Sequence, residues 1–298
     1  MALHLLDVFG MDVINFTLYH YALSYRLFFP RREGLLLHLT HSAGEGWGEI
    51  APFPGRSQET LMQAKEQLIA HLKNKNREPL LPSVQFGLSS ALEPRKKSVS
   101  IPLSALLLGS RDEILAKAES AFNQGYRSAK IKVNGLELKE ASLLLEQLSF
   151  SFSLRVDANR AFSFQEAVDL CGNIPIEYIE EPTYEIEKLE AFPFPYALDE
   201  TLLERSVPAN CHTIVYKPSI LGPPVESNKR FVFSSACETG VGIVHIAHLS
   251  KERACGLDTY RFLENDILHT PLDFSTGTLL TPEELHVNTS LLTKVAHG

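Results

Sequence analysis

Ser128-Ala129-Lys130-Ile131-Lys132-Val133 is the stretch from which the fold can be read. It is short and β-rich, the composition of a strand buried on both faces, yet it carries two lysines. Lys130 and Lys132 stand two apart, so their side chains share one face. The pattern returns four times downstream. Arg155-Val156-Asp157-Ala158-Asn159 ends in an aspartate and Tyr178-Ile179-Glu180-Glu181-Pro182 in two glutamates. Ala197-Leu198-Asp199-Glu200 ends in an acidic pair, and Ile214-Val215-Tyr216-Lys217-Pro218 in a lysine. Each run places a charge where a buried strand should avoid one, and always on its C-terminal side.

Outward from these runs the texture continues. Ser98–Leu107 precedes them, Arg230–Ser234 and Ala254–Asp258 follow, and helix-like segments separate most of them. Eight apolar runs without strict alternation predict a parallel sheet closed as a (β/α)₈, or TIM-type, barrel. A doubly wound open sheet has no Gly-x-Gly-x-x-Gly or P-loop to support it. Before residue 95 the order is different. Gly34–Thr40 predicts a strand, and Gly44–Ile50 a turn entering another. Ser57-Gln58-Glu59-Thr60 opens a helix with Leu61, Ala64, Leu68 and Leu72 at helical spacing. Glu93-Pro94-Arg95-Lys96-Lys97 marks a boundary. The expected division is an α+β domain of residues 1–95 and 261–298 around a barrel of residues 96–260.

The composition is consistent with this. The chain has 298 residues, 44% hydrophobic and 21% charged, enough to bury a full core. Its net charge of −8 argues against a nucleic-acid surface. No apolar run approaches the ~20 residues of a membrane span. Met1–Asp7 lacks the positive segment and cleavage site of a signal peptide. Cys171, Cys211, Cys237 and Cys255 stand singly, which fits a reducing cytoplasm.

In a barrel the C-terminal strand ends form the active face, so five consecutive strands deliver Lys, Asp, Glu, Asp and Lys to one ring. Three carboxylates on adjacent strands repel unless a cation sits between them. Oxygen donors suit a hard divalent ion, Mg²⁺ first and Mn²⁺ as the alternative. The lysines flank a substrate held there, and a neighbouring ammonium, the cation and partial burial all lower the Lys132 pKa towards that of a usable base. A divalent ion, three carboxylates and three lysines leave this pocket net positive, which suits a small dicarboxylate.

Blander readings stand beside this one. A single charge at a strand end is usually a chain reaching solvent, but a solvated rim predicts no order of signs. Glu181 and Glu200 are either outward-facing neighbours or site members. His245 and His248 read as ordinary helix histidines, with no third soft-metal ligand near. Cys237 reads as small-residue packing and Trp47 as core.

These residues resemble the enolase superfamily, in particular its muconate-lactonizing-like branch and, within that, the o-succinylbenzoate synthase family. Lys130-Ile131-Lys132 resembles the branch's Lys-x-Lys, and Asp157-Ala158-Asn159-Arg160-Ala161 its Asp-Ala-Asn-Arg-Ala. Glu180-Glu181-Pro182, Asp199-Glu200 and Tyr216-Lys217-Pro218 are similar to the motifs that follow. Ser234-Ser235 through Glu238-Thr239 and Gly242 resembles its strand-seven motif. Gly46–Gly55 with Ser57–Thr60, and Pro82–Ser89, resemble the family's cap. Together the motifs run from about residue 34 to 260.

The resemblance implies an enolase-like α/β fold, an α+β capping domain on a modified (β/α) barrel. It implies that Asp157, Glu180 and Asp199 hold Mg²⁺. Lys132 is then the base that removes the proton α to the substrate carboxylate and afterwards the acid for the departing hydroxyl. Lys217 stabilises the enediolate and Lys130 supports Lys132. The reaction implied is dehydration of 2-succinyl-6-hydroxy-2,4-cyclohexadiene-1-carboxylate to o-succinylbenzoate in menaquinone biosynthesis, by a carbon-oxygen lyase. Phe53, Pro54 and Gly55 would close over the substrate, with Asn159, Ser234 and Ser235 also against it. An N-succinylamino acid racemase or a dipeptide epimerase would use the same two lysines, and a non-catalytic scaffold would keep the barrel alone. Partners read from the sequence are a small anionic dicarboxylate, with neither nucleic acid nor membrane; it does not fix an oligomeric state.

One departure is visible. A full barrel takes about 250 residues, and this one must fit between residues 98 and 260. Gly222, Pro223 and Pro224 sit midway between Lys217 and Ser234, which predicts shortened or missing helices, especially between strands six and seven. The segment between Glu180 and Asp199 is short as well.

Overall fold

The computed structural model describes residues 13–73, 78–93, 97–172, 174–225, 227–250 and 253–298. The N-terminal peptide Met1–Asp7 and Pro94–Lys96 of the boundary segment lie outside them.

Strands β1 (Val13–Ser24), β2 (Arg31–His41) and β3 (Gly44–Ile50) form an antiparallel meander. The last strand of the chain (Thr293–His297) returns to pair with β1. The apolar run in β2 is explained by burial on both faces. Leu35, Leu37 and Leu39 pack with the helices α1 (Leu61–Leu72) and α2 (Pro82–Leu92). Leu36 points the other way, into the large core shared with the barrel. Thr60 caps α1 in a reciprocal pair with Gln63, as its position predicts. Helix α2 lies so close to β3 that a Cβ on Gly48 would stand 1.8 Å from the Gly87 carbonyl oxygen. Only glycine permits that approach.

The run Ser98–Leu107 is split at Leu103. β4 (Ser100–Pro102) pairs antiparallel with Thr278–Leu280 of the tail. β5 (Ser104–Leu107) begins a seven-stranded parallel sheet in sequence order. It continues through β6 (Ser128–Lys132), β7 (Ser153–Asp157), β8 (Tyr178–Glu180), β9 (Tyr196–Leu198), β10 (Thr213–Tyr216) and β11 (Arg230–Phe233). The expected eighth strand, Ala254–Asp258, is reduced to Cys255 and Gly256, which bridge Leu103 and Ser234 and close the ring. Asp258 already starts a 3₁₀ turn, Asp258–Phe262.

Each of the first three strands is followed by a full helix: α3 (Arg111–Asn123), α4 (Leu138–Ser149) and α5 (Phe164–Cys171). Ser110 and Ser163 cap α3 and α5 with glutamates three residues on. After β8 and β9 come only 3₁₀ turns, Ile186–Ala191 and Glu200–Leu203. After β10 stands the four-residue α6 (Pro218–Leu221), ended at Gly222 with φ 83°. The loss foreseen between strands six and seven therefore begins two strands earlier. A ten-residue helix, α7 (Gly240–Leu249), resumes after β11. Inside the barrel, Tyr178, Ala197, Val215 and Val232 form a small buried layer. Each is two residues before Glu180, Asp199, Lys217 and Ser234, so these point inward one layer higher.

Among the described residues no helix is long and apolar enough to cross a membrane. The four cysteines are free and buried.

Candidate functional site

Register places the rim residues side by side. Lys132 is opposite Asp157, and Asp157 opposite Glu180, on neighbouring strands. Asp199, Lys217 and Ser234 immediately follow β9, β10 and β11. The chain turns sharply at these ends. Asn159, Arg160, Glu181 and Cys237 all take left-handed backbone, with φ of 44°, 58°, 46° and 66°. Non-glycine residues adopt it at a cost, and such residues cluster where side chains must be aimed.

Lys130 Nζ lies 2.9 Å from Asp157 Oδ2 and 2.7 Å from Glu180 Oε2. Lys132 Nζ donates to Asn159 Oδ1 at 3.0 Å and is 3.5 Å from Asp157 Oδ2. Lys217 donates to Asp199. Burial opposes the Lys130 charge, but Asp157 and Glu180 outweigh it and hold the ammonium well above the ordinary lysine range. Burial also opposes ionisation of Asp157 and Asp199. Lys130 with Lys132 for the first, and Lys217 with Lys130 for the second, overcome it and hold both low. Glu180 stands between two ionised aspartates. Burial first, and then those two charges, push it up to about 8 despite Lys130.

A cavity of about 260 Å³ opens above this layer. Its lining includes Lys130, Lys132, Asp157, Asn159, Asp199, Lys217, Ser234 and Ser235, together with Phe53 and Pro54 from the cap loop. Glu180 lies beneath, 1% exposed. Gly55 does not line the cavity: its φ of 77° makes the turn, and a Cβ there would meet nothing within 4 Å. The two open acids separate. Glu181 faces away, accepting from Asp199 N, Thr201 N, Thr201 Oγ1 and Arg160 Nε, and so shapes the rim. Glu200 lines the cavity and bonds Arg56.

Several lining residues were not singled out from the sequence. Phe28 and Phe29 form an aromatic wall with Phe53, and Lys132 Nζ lies 5.8 Å from the Phe28 ring centre. The paired aromatics before Pro30 were the available signal. Arg56 had none, being one charge in a polar loop.

Two buried charges lock the cap to this rim. Arg32, 1% exposed, donates to the carbonyls of Ala51, Pro52, Ala236 and Cys237. Glu49 accepts from Tyr21 Oη, Thr239 N, Thr239 Oγ1 and Gly242 N, and thereby caps α7. Burial and the nearby Glu238 raise the Glu49 pKa against those bonds. His245 Nε2 meets the Trp47 carbonyl at 2.8 Å. Among the described residues no three His, Cys, Asp or Glu side chains are gathered as a metal site. The rim acids are turned onto lysines instead. Their chemistry nevertheless fits a hard divalent ion. All donors are carboxylate oxygens. Both Glu180 oxygens lie 2.7 Å from the Lys130 ammonium, so the carboxylate is already turned towards a cation in the layer of acids. Lys130 already sets one positive charge between Asp157 and Glu180.

A parallel barrel with acids ending three consecutive strands, lysines on the strands either side and an α+β cap has the fold of the enolase superfamily. A member of that superfamily from Roseovarius nubinhibens superposes with a TM-score of 0.75 over 97% of each chain, at 16% identity. MenC from Desulfotalea psychrophila superposes with a TM-score of 0.71, covering 90% of this chain and all of that one at 19% identity. Residues 15–94 match the family model described as MenC, N-terminal domain. The chain is 30% identical to the o-succinylbenzoate synthase of Haemophilus influenzae, across 85% of this chain and 92% of that protein. It belongs to the o-succinylbenzoate synthase family.

Proposed function

We propose that this chain is the carbon-oxygen lyase that dehydrates 2-succinyl-6-hydroxy-2,4-cyclohexadiene-1-carboxylate to o-succinylbenzoate in menaquinone biosynthesis. The observation that carries the reading is the pair of lysines, Lys132 and Lys217, on strands either side of the three acids and lining one cavity. Asp157, Glu180 and Asp199 would hold Mg²⁺, which when bound polarises the substrate carboxylate.

Lys132 takes the proton from the carbon α to that carboxylate. Asn159 Oδ1 accepts from Lys132 Nζ and orients the amine. Lys217 on the far side stabilises the negative charge that develops on the carboxylate oxygens. The carbon-oxygen bond to the β-hydroxyl then breaks. Lys132 returns the proton to the departing hydroxide, so one water leaves and the ring becomes aromatic. Phe28, Phe29 and Phe53 cover the ring and exclude bulk water.

In this reading residues 1–95 and 261–298 act as the capping domain and 96–260 as the barrel. Four unpaired cysteines suit a cytoplasmic site. The test is ultraviolet detection of the aromatic product from purified protein with substrate and Mg²⁺. Product from the native chain and none from Lys132→Ala supports the reading. Turnover of N-succinylamino acids with no dehydration overturns it.

A further inference from the structure

Arg56 is the cavity-lining cation that comes from the cap rather than from a barrel strand. Its loop is a tight turn. Arg56 N and Ser57 N both donate to the Phe53 carbonyl, at 3.1 and 2.9 Å, and Phe53 N donates to Ser57 Oγ at 2.8 Å. The guanidinium stacks near the Phe53 ring, 5.7 Å from its centre. Its Nη1 lies 3.3 Å from Asp199 Oδ2, and Nη2 bonds Glu200 Oε1. The side chain is 35% exposed, so it reaches both the acids and the open cavity.

Charge balance shows what this residue is for. Lys130, Lys132, Lys217 and Arg56 face Asp157, Glu180, Asp199 and Glu200, four cations against four acids, while Asp258 in the same lining has its own partner in Arg261. A divalent ion adds two positive charges, and a dicarboxylate restores the balance. One carboxylate belongs at the centre, where the three lysines already converge. The other needs a partner further out. Arg56 offers a planar fork matched to a carboxylate. Asp199 already has Lys217, so Arg56 can leave it and keep Glu200 as its anchor. We infer that Arg56 is the specificity determinant for the substrate's second carboxylate, the one remote from the reacting carbon. This rests on the dehydratase reading for the choice of ligand.

The test is calorimetric binding, which needs no turnover. The probes are o-succinylbenzoate and its monoamide at the remote carboxyl, each with Mg²⁺. The native protein is expected to bind the dicarboxylate about 10- to 100-fold more tightly. In Arg56→Gln the ratio should fall to near one, through weaker dicarboxylate binding with monoamide binding retained. Arg56→Lys should recover part of it. In turnover, KM for Arg56→Gln should rise by a similar factor, with a smaller fall in kcat. A native ratio near one, an undiminished ratio in Arg56→Gln, or equal loss of both ligands overturns the inference. If the ratio is present in the native protein and lost in Arg56→Gln, yet no dehydration occurs, the functional reading fails while Arg56 is still the contact to the remote carboxylate of the probe.

Discussion

The two halves of the barrel are built differently and serve one site. β5, β6 and β7 are each followed by a full helix of eight to thirteen residues. β8, β9 and β10 are followed by two 3₁₀ turns and a four-residue helix. Yet Lys132 and Asp157 come from the first half, and Glu180, Asp199 and Lys217 from the second. The rim depends on strand register and on the turns at the strand ends. The helices supply burial, and the second half finds burial elsewhere. Tyr216, Phe231 and Phe233 pack together on its outer face, with ring centres 4.8 to 6.2 Å apart. Cap helix α2 packs against α6. At the lower end, Glu177 joins Arg155 of β7 to Arg230 of β11, an ion network between the halves.

The comparison can be broken first at the chemistry. Lys132→Ala should lower kcat by about 10³-fold or more, and Lys217→Ala by a comparable order, with unchanged circular dichroism. If Lys217→Ala kept native turnover, the helix-poor half would contribute acids to the site but no catalytic cation. Next comes packing. Leu145 of α4 is fully buried, and Leu145→Ala should cost about 2–5 kcal/mol in chemical denaturation.

Glu177→Gln should cost less, about 1–3 kcal/mol, and its effect should depend on pH. Burial works against the ionised Glu177, but Arg155 and Arg230 overcome it and hold its pKa below the ordinary 4.5. As pH falls, the unfolded chain takes up this proton first. The stabilisation is therefore complete above about pH 4.5 and lost as pH drops through the lower folded value. Denaturation midpoints across that window should converge for the native and Glu177→Gln proteins; parallel curves would remove Glu177 from the network. The smallest effect belongs to the outer face. Phe231 is only partly buried, and Phe231→Ala should cost about 1 kcal/mol. A loss equal to that of Leu145→Ala would show the aromatic patch to be a full substitute for a helix.

The rim was legible in the sequence because buried strands rarely end in charge, and five did so in an ordered series of signs. Ser57–Thr60 was legible as a helix start because Leu61, Ala64, Leu68 and Leu72 follow it at helical spacing. The eighth strand was overread, since Ala254–Asp258 is apolar enough for a strand but only Cys255 and Gly256 find partners. Arg56, Phe28 and Phe29 were not legible as cavity residues. Their placement follows from how the cap docks, through Arg32 and Glu49, and sequence spacing carries no record of that docking. The roles of Glu181 and Glu200 differ only by which face each takes after the strand end. The left-handed backbone at Glu181 decides its face, and the sequence motif does not reveal it.

The most direct measurement follows ultraviolet absorbance as the purified chain meets the cyclohexadiene substrate, with Mg²⁺ and then with the ion chelated. Aromatic product that needs the ion and vanishes in Lys132→Ala is the predicted result. No dehydration under any divalent ion, from protein that is folded by circular dichroism, would contradict the account.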